Sequence, residues 1–432
     1  MPKNSARADA PRGETRAPLP SLRTGLITGE AGSALAADGR ALTARDMRAW
    51  LEGLIAPLGI TRLADVTGLD TVGMPVVTVC RPAARAHIVS QGKGAMRLEA
   101  EVSGILEAAE AYHAERITAP LRYATLKELS AEVPVAAVHA LPRLGTELFH
   151  PERRILWIEA IGLHDHAPAW LPYASVHLDF TLPLPPGSGS FPTSSTGLAA
   201  GATWADAIAH GLAEGIERDA EAIFAATDGW RDPSRRIDFA GLDGPAAELL
   251  SQIGAAGLGV AAWWTTRDID VPAVHALVFE HPGAGGPARR PSGGSGAHPD
   301  PETALARAIA EALQSRLTMI SGVREDNDRA HYASLEAEGY AAMIATIEEM
   351  PAEARLAGPR APQSGADTST WLRARLAAAG YRKSYAVDLS RPEIGLPVVR
   401  VVIPGLEGPH DVPGILPGMR IRRAQAARGR HG

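Results

Sequence analysis

Three stretches of the chain carry acids at a spacing that can do chemistry. Glu107 and Glu110 in SGILEAAEAYHAE, Glu214 and Glu217 in LAEGIERDA, and Glu311 with Gln314 in ARAIAEALQSR each set two acceptors three residues apart. On a helix such pairs project from one face. Each first acid stands thirteen residues after an entrance residue: Gly94, Gly201 and His298, the last in the Gly-rich GGSGAHPD. Small residues recur seven and three positions before it, at Ala100 and Gly104, Ala207 and Gly211, Ala304 and Ala308. They leave room for close contact with another helix or with a ligand. A solvated acidic face explains one isolated pair but not the repeated offset and stripe together. Like carboxylates held together need an offsetting cation. Acids converging on one cavity suit Mg²⁺, which binds through oxygen and shares its shell with phosphates. Glycine-rich helix starts can hold an anion on their N–H groups. Arg218 and Arg316 follow their acids and are placed to neutralise phosphate charge. Lys93 is a phosphate contact or an ordinary loop lysine.

Other chemistries find less support. Gly92-Lys93-Gly94 lacks the Walker spacing. Glu110 and His113 form an E-x-x-H, the spacing of di-iron bundles, but the other two stretches supply no matching histidine. Neither a G-x-S-x-G nor a Ser/His/Asp grouping occurs, so a hydrolase triad is unsupported. The single cysteine, Cys80, excludes an intramolecular disulfide and a Cys-based zinc cluster.

The elements that position these residues follow from pattern. At 432 residues, with 45% hydrophobic residues, the chain can bury a sizeable core. A net charge of −6 gives no general pull toward nucleic acid or anionic membrane. The absence of a signal-like segment and of an 18-residue apolar run makes a cytoplasmic protein the expectation. Residues 1–40 are expected to be flexible, 41–418 to form the catalytic domain, and the basic 419–432 to fray. Helices are expected at Ala41–Leu58, capped by Thr43, at the three acidic stretches, and at Ser334–Glu349. Strands are expected at Pro75–Arg81, Ala136–Leu141, Arg154–Leu163, Ser175–Leu182, Gly259–Thr265, Ala273–Phe279 and Leu396–Ile403. Loops are expected at Pro183–Gly187, His281–Pro299 and Pro359–Gly365, as connectors or as ligand gates. The elements do not alternate strictly, which favours α+β with mixed sheets over a doubly wound fold.

The quoted stretches, with TRLADVTGLD from Thr61, SQGKG from Ser90, STGLAAG from Ser195 and VVRVVIPGLE from Val398, resemble the YcaO family over roughly residues 60–410. Each motif is weak alone; in this order they are specific. The resemblance implies a non-Walker fold that binds ATP and Mg²⁺ and activates peptide backbone amides. It implies Mg²⁺ ligation by Glu107, Glu110, Glu214 and Glu217. Nucleotide contacts are implied from those acids with Ser90, Lys93, Ser103, Ser195, Arg218 and Gln314, and catalytic roles for Glu311 and Arg316. A nucleophile adds to the amide carbonyl, the oxygen takes the γ-phosphoryl, and phosphate leaves, giving a thioamide from a sulfur donor or an azoline from a neighbouring side chain. Ala111 stands where many members have arginine, which is then missing or replaced by Arg116; Ala202 stands where many have asparagine. The end Arg-Gly-Arg-His-Gly lacks the P-x-P-x-P of azoline-forming members, and EAYHAE resembles members that work with a TfuA-type partner. The expected partners are thus a peptide or protein substrate, a TfuA-like protein and a second copy in a homodimer. The alternatives are an azoline-forming cyclodehydratase and a non-catalytic nucleotide-binding accessory protein.

Overall fold

The computed structural model describes residues 21–28, 43–145, 149–281, 290–325, 332, 339–358 and 365–428. Its architecture is α+β, organised around three units of one design. In the first, helix α2 (Ala44–Glu52) leads into strands β1 (Arg62–Asp65), β2 (Val76–Cys80) and β3 (Val89–Lys93), then helix α3 (Arg97–Glu115). In another, α6 (Pro245–Ala255) leads into β8 (Leu258–Trp264), β9 (Ala273–Glu280) and β10 (Ser292–Ala297), then α7 (Pro301–Ser321). The remaining unit is assembled out of order: α9 (Gly365–Ala378), β11 (Tyr385–Asp388) and β12 (Val398–Val402) join the earlier β7 (Leu198–Ala200) and α5 (Trp204–Ala226). Each set of three strands is antiparallel, and the strand before the long helix is last in order every time: β1-β2-β3, β8-β9-β10, β11-β12-β7. β4 (Leu121–Ala124), β5 (Ile155–Gly162) and β6 (Pro168–Pro172) widen the third sheet beyond β11. Short helices α1 (Leu22–Thr28), α4 (Leu126–Glu132), α8 (Gly339–Glu349) and α10 (Met419–Arg428) complete the described chain. Among the described residues, no helix is long and apolar enough to cross a membrane.

The strands before the long helices are built from small residues because the helices lie almost on their backbones. A methyl group on Gly92 would come within 2.7 Å of Gly104 Cα, and one on Gly294 within 2.5 Å of Ala308 O. Neither side can yield, since the obstacles are backbone atoms. The stripe Ala100, Gly104, Ala207, Gly211, Ala304 and Ala308 is the helical half of these contacts and is fully buried. It seats a strand, not a second helix or a ligand. For the same reason Ser90–Lys93 of SQGKG and all of GGSGA are strand residues and not glycine loops at a helix start: α3 begins only at Arg97 and α7 at Pro301. Thus the expected loop His281–Pro299 contains β10, while residues 282–289 lie outside the described residues.

Other expectations change as well. Ala136–Leu141 is a 3-10 turn at Val138–Ala140, and Ser175–Leu182 is irregular after a turn at Tyr173–Ser175; both are apolar because they pack on the first core, not because they pair. The helix expected at Ala41–Leu58 is α2, with the Thr43–Asp46 capping box in place. Of Ser334–Glu349, residues 339–349 form α8, and 334–338 lie outside the described residues, as do 359–364 of the third expected loop. Within the expected flexible segment 1–40, the described residues 21–28 hold α1, whose Leu22 is buried and donates its N–H to Asp388 Oδ2 at 3.2 Å.

The expected frayed tail is instead a packed helix as far as Arg428. Glu407 accepts the N–H groups of Gly418, Arg420 and Ile421 at 2.7–3.0 Å, capping α10 at its start. Arg420, 9% exposed in its side chain, lies 2.8 Å from the buried Asp219 of α5 and 2.6 Å from Asp268, and Ile421 packs against α5. Removing the guanidinium leaves the Asp219 carboxylate buried beside Arg218's helix turn without its cation. Arg420→Ala is therefore expected to destabilise the protein by about 3 kcal/mol in chemical denaturation; an unchanged midpoint would show that α10 does not hold α5.

Candidate active site

The long helices deliver their acceptors to a common centre through a repeated pattern of hydrogen bonds. The first acceptor of each pair turns to its own unit's strand: Glu107 to the Gln91 N–H, Glu214 to Gly197 N at 3.0 Å, and Glu311 to Ser295 N at 3.4 Å. The second reaches the next unit: Glu110 accepts from Ala200 N at 2.7 Å, Glu217 from Ala297 N at 2.8 Å, and Gln314 donates to Gln91 O at 2.7 Å. The ring closes on a carbonyl, which needs a donor, and this is why the last position is Gln and not Glu.

Of the residues expected at the site, all but Glu217 line one cavity of about 1460 Å³. Glu217 stands behind the wall, against Ala297 and close to Arg307. Lys93 Nζ lies 2.7 Å from Gln314 Oε1 and 3.4 Å from Glu311 Oε2. Arg218 sits among four acids, 2.9 Å from Glu221, 3.7 Å from Glu217 and from Glu311, and 3.9 Å from Glu214. Arg316 is on the wall but already committed: its Nε is 3.1 Å from Asp70 Oδ2 and its Nη1 3.1 Å from Glu280 Oε1. Ser90, Ser103 and Ser195 face the same space. Arg116 does not replace the arginine missing at Ala111, because it pairs with Glu115 at 2.5 Å and stacks on Tyr112, away from the cavity. His113 is buried, with Nδ1 2.6 Å from Ala109 O, and is a core residue, not a metal ligand.

Sequence reasoning missed three participants. Arg400, in the middle of β12, is buried; among the described residues its Nε and Nη1 have no hydrogen-bond partner, and its charge faces Glu214. The available signal was one charged residue inside the apolar run Val398-Val399-Arg400-Val401-Val402. Glu221 lies one turn beyond Glu217, and His275 interrupts the apolar β9.

The donor set fits Mg²⁺ with a polyphosphate. Six carboxylates (Glu107, Glu110, Glu214, Glu217, Glu221, Glu311) gather near Lys93, Arg218 and Arg400, and Arg290 and Arg324 also line the cavity. Burial raises Glu214, carries Glu110 well above the carboxylate range and pushes Glu217 up to about 8, Arg218 opposing and Glu311 and Glu214 adding repulsion. Burial likewise raises Glu107 to about 7, although its side chain meets solvent in the cavity, whereas Glu217 is only 13% exposed. Among the described residues no three ligating side chains converge tightly enough to enclose an ion. Mg²⁺ bound through one or two carboxylates, water and phosphate oxygens meets that condition.

These raised carboxyls fix a pH dependence. Each holds its proton more tightly when folded than when unfolded, so the folded protein carries the extra protons between pH 4.5 and about 8. Stability of the nucleotide-free protein should fall as pH rises through that window, and Mg²⁺ affinity should rise. Thermal denaturation with and without Mg-ATP checks this: the gap between the two curves should widen with pH, and a constant gap would contradict it.

Residues 91–407 match the family described as YcaO cyclodehydratase, ATP- and Mg²⁺-binding. A protein of Rhizobium leguminosarum bv. trifolii, named for its place in the tfuA 3′ region, is 32% identical over 397 residues, 90% of this chain and 93% of its own length. The fold is similar to that of YcaO from Methanopyrus kandleri bound with AMPPCP and Mg²⁺, with a TM-score of 0.66 and 23% identity over 85% of this chain and 92% of that one. It is also similar to a heterocyclase in complex with substrate and cofactor, with a TM-score of 0.68 and 22% identity over 86% of this chain and 53% of that one. The family match spans well over half the chain, and with it the chain belongs to the YcaO family, as an ATP- and Mg²⁺-dependent peptide-modifying enzyme of α+β fold.

Proposed function

We propose that this enzyme converts a backbone amide of a ribosomally made peptide or protein into a thioamide, working with a TfuA-type partner protein. The observation that carries the amide-activating part is the cavity itself. Acids from α3, α5 and α7 surround Lys93 and Arg218 in one space large enough for a nucleotide. The thioamide part is supported by the relative from the tfuA 3′ region, aligned over nearly the whole chain.

Bound Mg-ATP supplies the γ-phosphoryl group that makes the amide oxygen a leaving group. Glu107, Glu110 and Glu214 face the cavity, and one or two of them would hold the ion together with water and phosphate oxygens, while Glu217 fixes the edge of β10 from behind. Lys93, oriented by Gln314, and Arg218, oriented by Glu221, are placed to balance phosphate charge. Ser90, Ser103 and Ser195 offer hydroxyls on the wall. Glu311 spaces Lys93 from Arg218. Arg316, held by Asp70 and Glu280, keeps the α7 wall in register; catalysis then falls to the charges at Lys93 and Arg218. The protein's part is positioning and charge neutralisation, with no covalent intermediate on a side chain.

The test is the mass of peptides in cells expressing the wild-type chain with its partner, against cells expressing Glu214→Gln. Oxygen-to-sulfur exchange adds about 16 Da and azoline formation removes about 18 Da. A gain dependent on Glu214 is the expected result. A loss of water in its place would assign cyclodehydration, and no change together with no ATP turnover would leave only an accessory role.

A further inference from the structure

Beyond the three acceptor pairs, the cavity wall carries a second polar group centred on His275. It interrupts the apolar run of β9, the middle strand of its sheet, and lines the cavity. Its Nδ1 lies 3.2 Å from Ser295 Oγ on β10 and 3.6 Å from Glu221 Oε1 on α5. The other oxygen of Glu221 accepts from Arg218 Nη1 at 2.9 Å. Phe224 covers the ring with centroids 5.5 Å apart, and Gly293 leaves space beside it: a methyl there would come within 3.3 Å of His275 Cε1. His410 also acts on Glu221 electrostatically, Glu217 and Glu221 repel each other on the same helix, and Trp263 is the neighbour across β8. With Nδ1 engaged on both sides, Nε2 has no hydrogen-bond partner among the described residues.

We propose that His275 is the proton acceptor of the reaction, its ring held by Glu221 and Ser295 and its Nε2 open to the cavity. The assignment rests on the amide-activating reading of this site. As a hydrosulfide adds to the peptide carbonyl, the S–H bond breaks and its proton passes to Nε2. The sulfur electron pair forms the C–S bond, and the carbonyl π pair moves onto oxygen, the atom that is phosphorylated as ADP departs. Phosphate then leaves with the C–O pair as sulfur closes the C=S bond, and the imidazolium gives its proton to water. A carboxylate on Nδ1 sets the tautomer that leaves Nε2 free to accept, and it stabilises the imidazolium that results. Burial opposes a charge on Glu221, but His275 and Arg218 hold its carboxyl far below the usual range, so that it is ionised when His275 takes the proton.

The experiment uses the full chain with its partner, sodium sulfide as donor, and a peptide identified by its mass gain in cells expressing the wild type but not Glu214→Gln. His275→Gln is expected to bind Mg-ATP, read with a fluorescent ATP analogue, within about twofold of wild type. Its kcat should fall about 10²–10⁴-fold and lose the acid limb of the wild-type pH–rate profile. Imidazole should restore part of the activity of His275→Ala. A variant that keeps the acid limb overturns the assignment. So does a loss of rate that tracks a loss of Mg-ATP binding and resists imidazole, since that describes a structural histidine. A wild-type protein that neither modifies peptide nor turns over ATP removes the reading of the site, and the role of His275 with it; it is told apart by failing before any variant is made.

Discussion

Glu107→Gln and Glu214→Gln should each lower Mg-dependent ATP turnover about 10²–10³-fold. The isosteric amide keeps the carbonyl oxygen that accepts from the Gln91 or Gly197 N–H, so the fold of the wall is preserved. What is lost is the negative charge the ion needs. The two substitutions differ in the nucleotide-free protein. Burial disfavours the Glu107 charge more than Lys93 and Arg324 favour it, and Glu311 adds repulsion, so Glu107→Gln should be slightly more stable than wild type without ligand. The gain should be under about 1 kcal/mol, because cavity solvent reaches the carboxylate and Lys93 and Arg324 offset part of its burial. Glu214→Gln, by contrast, removes the acid that Arg400 faces and should gain nothing. Lower activity with equal or higher unliganded stability is the signature of a binding site whose acids are held at a cost to folding. ATP turnover and thermal denaturation of the same preparations read both halves. A variant that loses activity by unfolding would contradict the assignment.

Gly294→Val should be the most damaging single substitution away from the acids. Its Cβ would meet the Ala308 carbonyl at 2.5 Å and Glu311 C at 2.6 Å, both backbone atoms of α7. The helix cannot stay seated on β10, and overpacking of this kind costs about 3 kcal/mol or more. Because α7 carries Glu311 and Gln314, the surviving folded fraction should also bind Mg-ATP weakly. The control is Gly241→Ala, in a turn where a Cβ meets nothing within 4 Å; positive φ alone should cost it about 1 kcal/mol. Denaturation midpoints that rank the two alike would show that strand–helix contact is not what selects glycine at 294.

The three acid pairs were legible because chemistry and helix periodicity act on the same residues. Glu107/Glu110, Glu214/Glu217 and Glu311/Gln314 repeat at one spacing, and their helices read directly. The strands beneath them were not legible. SQGKG, LAA and SGGSGA carry almost no β-forming side chains, since close helix packing selects for small residues and erases the usual strand signal. The same packing was visible as a small stripe on the helices, but the sequence could not say what it met. The union of β7 and α5 with β11 and β12 was hidden by about 200 residues of separation, for which local pattern has no signal. Glu217 looked equivalent to its counterparts and makes the equivalent bond, from the Ala297 N–H, yet it does not line the cavity as Glu110 does. The basic tail looked frayed because its charges dominate; only the buried partners Asp219 and Glu407 make Arg420-Ile421 a docking element.

The central claim is that this cavity transfers the γ-phosphoryl group of ATP to a peptide amide oxygen. The most direct measurement labels the carbonyl oxygen of the modified residue with ¹⁸O and follows the phosphate released. Phosphate carrying one ¹⁸O atom for each peptide modified is the predicted result, with none formed by Glu214→Gln. Unlabelled phosphate released alongside modified peptide would contradict it, because the amide oxygen would then have left without being phosphorylated.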